Sequence, residues 1–154
     1  MVAYYYNYNW PVLKMGGTAK RSLGVSSKVT LRSYIYGNYI DEVLVKIEDG
    51  EDIYYAGDHL YSPAALIDDE GNVLERYEYD AYGRCYFMEP NFVLREEQES
   101  AYANTILFTG RQVDVLDNGK LKLQYSRNRY YDYHTGRWLT KDPKGYNDGM
   151  SLYQ

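Results

Sequence analysis

Cysteine is nearly absent from this chain. Cys85 is the only one, so no intrachain disulfide can form and no zinc site can be built from cysteine ligands. The fold must therefore rest on packing and backbone pairing. Phenylalanine is scarce too, with 3 residues against 21 tyrosines, and histidine is limited to His59 and His134. No apolar run approaches the roughly 18 residues of a membrane helix, so no membrane span is expected. Residues 1–10 carry no apolar stretch behind basic residues and do not read as a signal peptide. If the chain is exported, the expectation is that the signal stands on a longer parent chain. Positive charge is in deficit, with a formal net charge of −5, which weighs against non-specific nucleic-acid binding. One region is locally basic, with Lys14, Lys20, Arg21, Lys28 and Arg32 in a stretch that holds no acid. It reads as a solvated arm or a strand edge, where lysines discourage sheet stacking.

What is abundant is tyrosine. Its ring is apolar, but its hydroxyl needs a partner or water when buried, and it favours strands. Many half-buried rings suit a sheet with a wet face. The 154 residues fit one domain that could bury roughly 68–70% of its unfolded surface. Along the chain, strands are expected at 2–8, 28–36, 40–47, 53–56, 62–67, 73–79, 85–88, 105–109, 122–131 and 137–139, and a flexible loop at 16–27. In 73–79 the alternation sets Val73, Glu75, Tyr77 and Tyr79 on one face, with Leu74, Arg76 and Glu78 on the other. Hairpin connections are expected at 68–72, 80–83, 116–120 and 132–136, each marked by Asp, Asn or Gly. The fold class is therefore all-β, a hairpin-built antiparallel sheet. Three parts follow: 1–33, a tyrosine-rich strand and flexible basic loop; 34–104, hairpins with a charged surface excursion at 89–104; and 105–154.

Two segments repeat. Tyr77-Glu78-Tyr79-Asp80-Ala81-Tyr82-Gly83-Arg84 and Tyr130-Tyr131-Asp132-Tyr133-His134-Thr135-Gly136-Arg137 both run aromatic strand, Asp, then Gly-Arg. Asp caps a turn, Gly supplies a positive φ, and Arg opens the returning strand beside tyrosine faces. Such a hairpin cannot bury its own face and needs neighbours, which is the logic of a repeat sheet.

The segment 77–84 resembles a YD repeat. Phe108-Thr109-Gly110-Arg111, Arg129-Tyr130-Tyr131-Asp132, Thr135-Gly136-Arg137-Trp138 and Asp142-Pro143-Lys144-Gly145 resemble, in order, the RHS repeat-associated core domain. The match runs over about 105–153, and Gly149-Met150-Ser151-Leu152-Tyr153 departs from it with Ser where Asn is usual. The resemblance implies a β-sheet wound into a hollow shell around a C-terminal cargo, often a toxin, with the core plugging one end. It also implies an aspartyl self-cleavage downstream, after a second Asp-Pro-x-Gly-Leu, in which Asp142 takes part. Gln154 precedes that segment, and the chain reads as a fragment or a degenerate short reading frame. The expected function is a structural shell or plug module of an exported polymorphic-toxin or cell-surface protein, without a cofactor. Its expected partners are the rest of the shell and its cargo, and association through sheet edges is expected. The alternatives are a carbohydrate-binding module using exposed tyrosines on cell-surface glycans, and a self-cleaving core inactive in this form.

Among single residues, Asp142 reads either as half of a carboxylate pair or as the Asp that starts a turn before Pro143. Asp148, beside Asn147, reads as an ordinary turn. His59 beside Asp58 lacks a nucleophile motif, Ser62 being a loop neighbour, and His134 lies in an expected turn. Cys85 reads as a small buried filler. Asp68, Asp69, Glu70 and Asn72 surround Gly71 but do not keep the spacing of a calcium loop.

Overall fold

The computed structural model describes residues 31–143 and the strands Val2–Tyr4 and Val12–Gly17. The protein is all-β, with two antiparallel sheets. The first is a meander in strict sequence order: β1 (Val2–Tyr4), β2 (Val12–Gly17), β3 (Leu31–Tyr36), β4 (Val43–Glu48), β5 (Glu51–Gly57), β6 (Pro63–Ile67), β7 (Val73–Tyr79) and β8 (Cys85–Met88). The second runs β12 (Arg137–Trp138), β11 (Arg129–Asp132), β10 (Leu121–Ser126), β9 (Gln112–Leu116) from edge to edge.

One face of the first sheet carries the core. Tyr34, Ile53, Tyr55, Leu66, Tyr77 and Phe87 are buried there, with Ile106, Leu107 and Val113 packed against them. The register explains the membership: Tyr55 stands opposite Leu66, Leu66 opposite Glu75, and Tyr77 opposite Phe87. Side chains alternate faces along a strand, so these residues point the same way. The expected Glu75/Tyr77/Tyr79 face of β7 is this core face, and Glu75 is fully buried on it.

Three connections share one geometry. At 58–62, 68–72 and 80–84 the leading Asp carboxylate accepts the backbone N–H groups two and four residues on, at 2.7–3.0 Å. The fourth residue of each has a positive φ: Tyr61 at 65°, Gly71 at 87° and Gly83 at 88°. The turn 132–136 starts alike, His134 N–H donating to Asp132 at 2.8 Å, and ends on Gly136 at φ 66°. The repeat in the sequence is thus a repeat of Asp-closed turns. The turn at 58–62 escaped the sequence reading because Tyr61 stands where the others have Gly.

Several expectations are corrected. Gly16 and Gly17 are not loop: they end β2, paired with Val2 and Ala3 on one side, while Gly16 meets Leu31 on the other. A backbone ladder needs no side chain, so pairing on two sides overrides the low strand preference of Gly. The rest of that expected loop, and residues 5–8 and 28–30 of expected strands, lie outside the described residues. Ile40 is in a turn, not a strand, because the Glu42 carboxylate takes the N–H groups of Asn38 and Tyr39 and delays β4 to Val43. The expected strand 105–109 is reduced to a single bridge, Ile106 to Gln112, followed by a 3₁₀ turn Phe108–Gly110. The expected strand 122–131 is two strands, β10 and β11, because Arg127 takes a φ of 56° and Ser126 pairs back on Arg129.

The largest correction concerns 89–104. This segment is a surface strap, its residues mostly exposed and Asn104 buried, laid in a fixed course over the core face. At its start it lines the edge of β8: Leu94 bridges Met88, and the Gln98 amide both accepts from Phe87 N–H and donates to Phe87 C=O. It then crosses the sheet. Ala101 N–H donates to the buried Glu75 carboxylate at 2.8 Å, and the Lys46 ammonium, fully buried, donates to Tyr102 C=O at 2.5 Å and to Glu48 at 2.8 Å. Burial alone would raise the Glu48 carboxyl, but its bonds from Lys46 and Arg32 hold it below the ordinary value. At the far end Asn104 accepts from Tyr55 hydroxyl at 2.9 Å and donates to Tyr77 hydroxyl at 3.1 Å and Ile106 C=O at 2.9 Å. The charged residues that suggested a solvated loop are partly the strap's attachments: Arg95 reaches Glu75 at 3.7 Å and Glu89 at 3.3 Å.

The turns separate two kinds of glycine. A Cβ on Gly71 would meet open space, whereas one on Gly83 would fall 2.3 Å from the Phe108 ring. Gly71→Ala should therefore cost only its backbone penalty, about 1 kcal/mol, and Gly83→Ala about 2–4 kcal/mol because the Phe108 contact must also give. Urea denaturation should show the larger midpoint shift at Gly83 with an unchanged slope; equal shifts would refute the packing difference.

Candidate functional site

The motif residues singled out in the sequence gather in two places. The first is the turn between β3 and β4. Gly110 packs so closely on it that a Cβ there would fall 1.9 Å from the Asp41 carbonyl oxygen, and its φ of 66° suits glycine. Arg111 brings its guanidinium to 3.6 Å from the Asp41 carboxylate, and Arg127 comes to 2.7 Å from it. Gly110 and Arg111 therefore dock the start of the second sheet onto the first. Sequence reasoning missed both Asp41 and Arg127. Nothing in a lone Asp between Ile40 and Glu42 signals a partner 86 positions away.

The second place is the far edge of the second sheet. Arg129 lays its guanidinium over the Trp138 ring at 4.1 Å and meets the Asp142 carboxylate at 3.0 Å. Tyr131 stands opposite Trp138 in the ladder, with ring centroids 5.2 Å apart, and Asp132 opposite Arg137. Tyr130 hydroxyl donates to Asp114 at 2.8 Å, tying β11 across β10 to β9. Tyr131 hydroxyl donates to the Tyr82 carbonyl at 3.0 Å, and a Cβ on Gly136 would fall 2.8 Å from the Tyr82 ring. The two YD-like units thus meet: the turn at 80–84 is the seat of the second unit. Arg84 stacks 5.5 Å from the ring of Tyr86. Asp142 lies past β12, its carboxylate held by a cation, and Pro143 follows in an exposed turn. Gly145, Asp148 and the 149–153 stretch lie outside the described residues.

The remaining candidates divide clearly. His59 and His134 are exposed turn residues, the latter 4.7 Å from the Tyr133 ring. The Asp68 carboxylate is taken up by its own turn: the Asn72 side-chain amide donates to it, then the turn N–H groups, which together hold it below the ordinary carboxylate range. Burial pushes the hydroxyls of Tyr55, Tyr77 and Tyr79 well up, so they stay neutral inside the sheet. Tyr79 donates to the Pro63 carbonyl at 2.9 Å. Two concavities open among the turns that join β3–β4, β5–β6 and β7–β8, which share one end of the meander. One, of about 400 Å³, is lined by Asp58, Tyr79, Asp80 and Phe108. The other, of about 140 Å³, is lined by Glu42, Tyr55, Asp58, Tyr61 and Pro63.

No family model matches the chain. It is 36% identical over 100 residues to the protein YibJ of Escherichia coli (strain K12), an alignment that covers 65% of this chain and 38% of that one. It is 32% identical over 105 residues to the toxin subunit YenC2 of Yersinia entomophaga, covering 68% of this chain and 10% of that one. The crystal structure of TcdB2-TccC3 matches 99% of this chain and 8% of its own, with a TM-score of 0.62 at 21% identity. The chain thus spans less than two fifths of the curated relatives named here. These similarities link it distantly, in fold and sequence, to toxin-associated, repeat-rich β proteins.

Cys85 gives a direct check on the packing of this region. Burial pushes its thiol well up, outweighing the Tyr79 hydrogen bond that favours the thiolate. Since the thiolate is the reactive form, a thiol-specific reagent should label Cys85 slowly in the native protein and rapidly in urea. Fast labelling under native conditions would show that the β7–β8 end is open.

Proposed function

We propose that this chain is a structural wall or plug module of a larger exported shell protein of the RHS/YD-repeat type, helping to enclose or present a C-terminal cargo outside the producing cell. One observation carries the reading: the first sheet is a meander in unbroken sequence order, its successive hairpins closed by Asp turns of the same geometry. A wall built this way grows by adding hairpins, and each hairpin buries its face only against neighbours. The distant link to toxin-associated β proteins supports the setting. On this reading the exposed tyrosines, Tyr54 and Tyr82 among them, pack against adjoining shell, and a glycan array gives no hits.

The sheet edges test the wall role. The strap covers part of the β8 edge, while β1 and β12 stand at outer edges of the two sheets among the described residues, and unpaired edges promote association. The isolated chain should associate with rising concentration in sedimentation velocity. A strictly monomeric protein with a sharp, reversible unfolding transition would overturn the reading.

Asp142 is the candidate catalytic residue of the same proposal. In a longer chain that carries the downstream Asp-Pro-x-Gly-Leu segment, self-cleavage should occur at neutral pH and Asp142→Asn should abolish it, because an amide supplies neither the base nor the shared proton of a carboxylate pair. The 154-residue chain should stay intact with either residue. Cleavage of the longer chain that persists with Asn would leave Asp142 as the ion-pair partner of Arg129 and nothing more.

A further inference from the structure

The smaller concavity differs from the rest of the turn surface in what walls it. Tyr61, one of its lining residues, stacks on Tyr39 with ring centroids 4.8 Å apart and planes 18° from parallel, and both rings remain substantially exposed. Tyr61 also holds a φ of 65° at the turn position where the sister turns have Gly71 and Gly83. A bulky side chain there is a backbone outlier, and it sets the Tyr61 ring both in the cavity lining and on the Tyr39 ring. Glu42 and Asp58 line the same space. Each is already rigid, since one oxygen of Glu42 accepts from Asn38 and Tyr39 N–H and one of Asp58 from Leu60 and Ser62 N–H. Among the described residues, no lysine, arginine or histidine lines the cavity.

A neutral ligand entering this space would shield two carboxylates from water without compensating them, which is unfavourable. A cation compensates both, and an aromatic wall favours it further. The volume of about 140 Å³ admits the head of one side chain and not a folded segment. Elsewhere this same chain repeatedly sets arginine on aromatic faces: Arg76 over Phe92 and Arg129 over Trp138, each at 4.1 Å. On the neighbouring turn Asp41 receives Arg127 at 2.7 Å from across the molecule. The guanidinium is flat enough to extend the Tyr39–Tyr61 stack and forked enough to meet carboxylates.

We propose that the cavity walled by Tyr61 and lined by Glu42 and Asp58 is a receptor for an arginine side chain of a partner polypeptide. It lies at the turn end of the sheet and not on its strand edges, so it joins the wall to something other than the next hairpin.

The test uses the full 154-residue chain and the probe N-acetyl-arginine-N-methylamide, followed by ¹⁵N–¹H NMR. Saturable shifts should appear, confined to resonances of residues 39–44 and 57–63, at up to roughly millimolar probe. The citrulline analogue, isosteric but uncharged, should give none. Tyr61→Gly suits the positive φ and keeps the turn, so its spectrum should stay dispersed while the affinity falls at least about fivefold. Glu42→Gln keeps an acceptor for Asn38 and Tyr39 and should weaken binding as well. No saturable shift, equal shifts with citrulline, or undiminished binding by the folded Tyr61→Gly protein would each overturn the proposal.

Discussion

A tyrosine can fill a core only where its hydroxyl finds a partner, and for Tyr55 and Tyr77 that partner is one side chain, the amide of Asn104. Its oxygen accepts from Tyr55, its nitrogen donates to Tyr77, and both atoms also bond the backbone of Ile106. The amide is buried, so water cannot replace it, and an unmet donor or acceptor in that position costs about 1–3 kcal/mol. The arrangement requires a chain segment to pass over the sheet at this point. That segment is the strap 89–104, and the connection it begins leads on to the second sheet. The tyrosine core, the strap and the docking of the two sheets are therefore parts of one polar solution to an aromatic interior.

The strap also accounts for the charges buried beneath it. Lys46 and Glu75 are fully buried on the core face, yet each meets backbone of the strap, at Tyr102 and Ala101, and each has an opposite charge in reach, Glu48 at 2.8 Å and Arg95 at 3.7 Å. Buried charges are tolerated when paired and hydrogen-bonded. Here they serve as fixed posts that set where the strap lies, a role an apolar surface would leave undirected.

The same economy of types runs through the turns and the arginines. One Asp geometry closes successive hairpins, and arginine recurs as the group that joins distant parts, on Asp41, on Trp138 with Asp142, and on Phe92. A wall made of repeated hairpins has many equivalent turns, and small departures from the repeat make individual turns into contact points. Gly110 pressed on Asp41 and Gly136 pressed on Tyr82 are such departures inside the molecule. Tyr61, replacing a glycine in the repeat, is one that faces outward.

The sequence by itself determined the fold class, the core face of β7 and most of the hairpin positions, because these depend on local properties: alternation along a strand, and Asp, Asn or Gly where a turn needs a side-chain acceptor or a positive φ. It marked the residues of the Gly-Arg and Arg-Tyr-Tyr-Asp motifs without showing what each would touch. Where partners lie far apart in the chain, only the tertiary structure decided. The segment 89–104 has the composition of a solvated loop, and its fixed course over the core follows from posts supplied by Lys46 and Glu75 on strands that precede it in sequence. Residues 105–109 look like a strand, but only Ile106 bridges, and the chain turns at Phe108–Gly110, where Gly110 packs on Asp41. The run 122–131 looks continuous, but Ser126 pairs with Arg129 and Arg127 reaches Asp41, so the chain reverses there. In each case a long-range polar contact outweighed a local preference, and such contacts leave no periodic trace in the sequence.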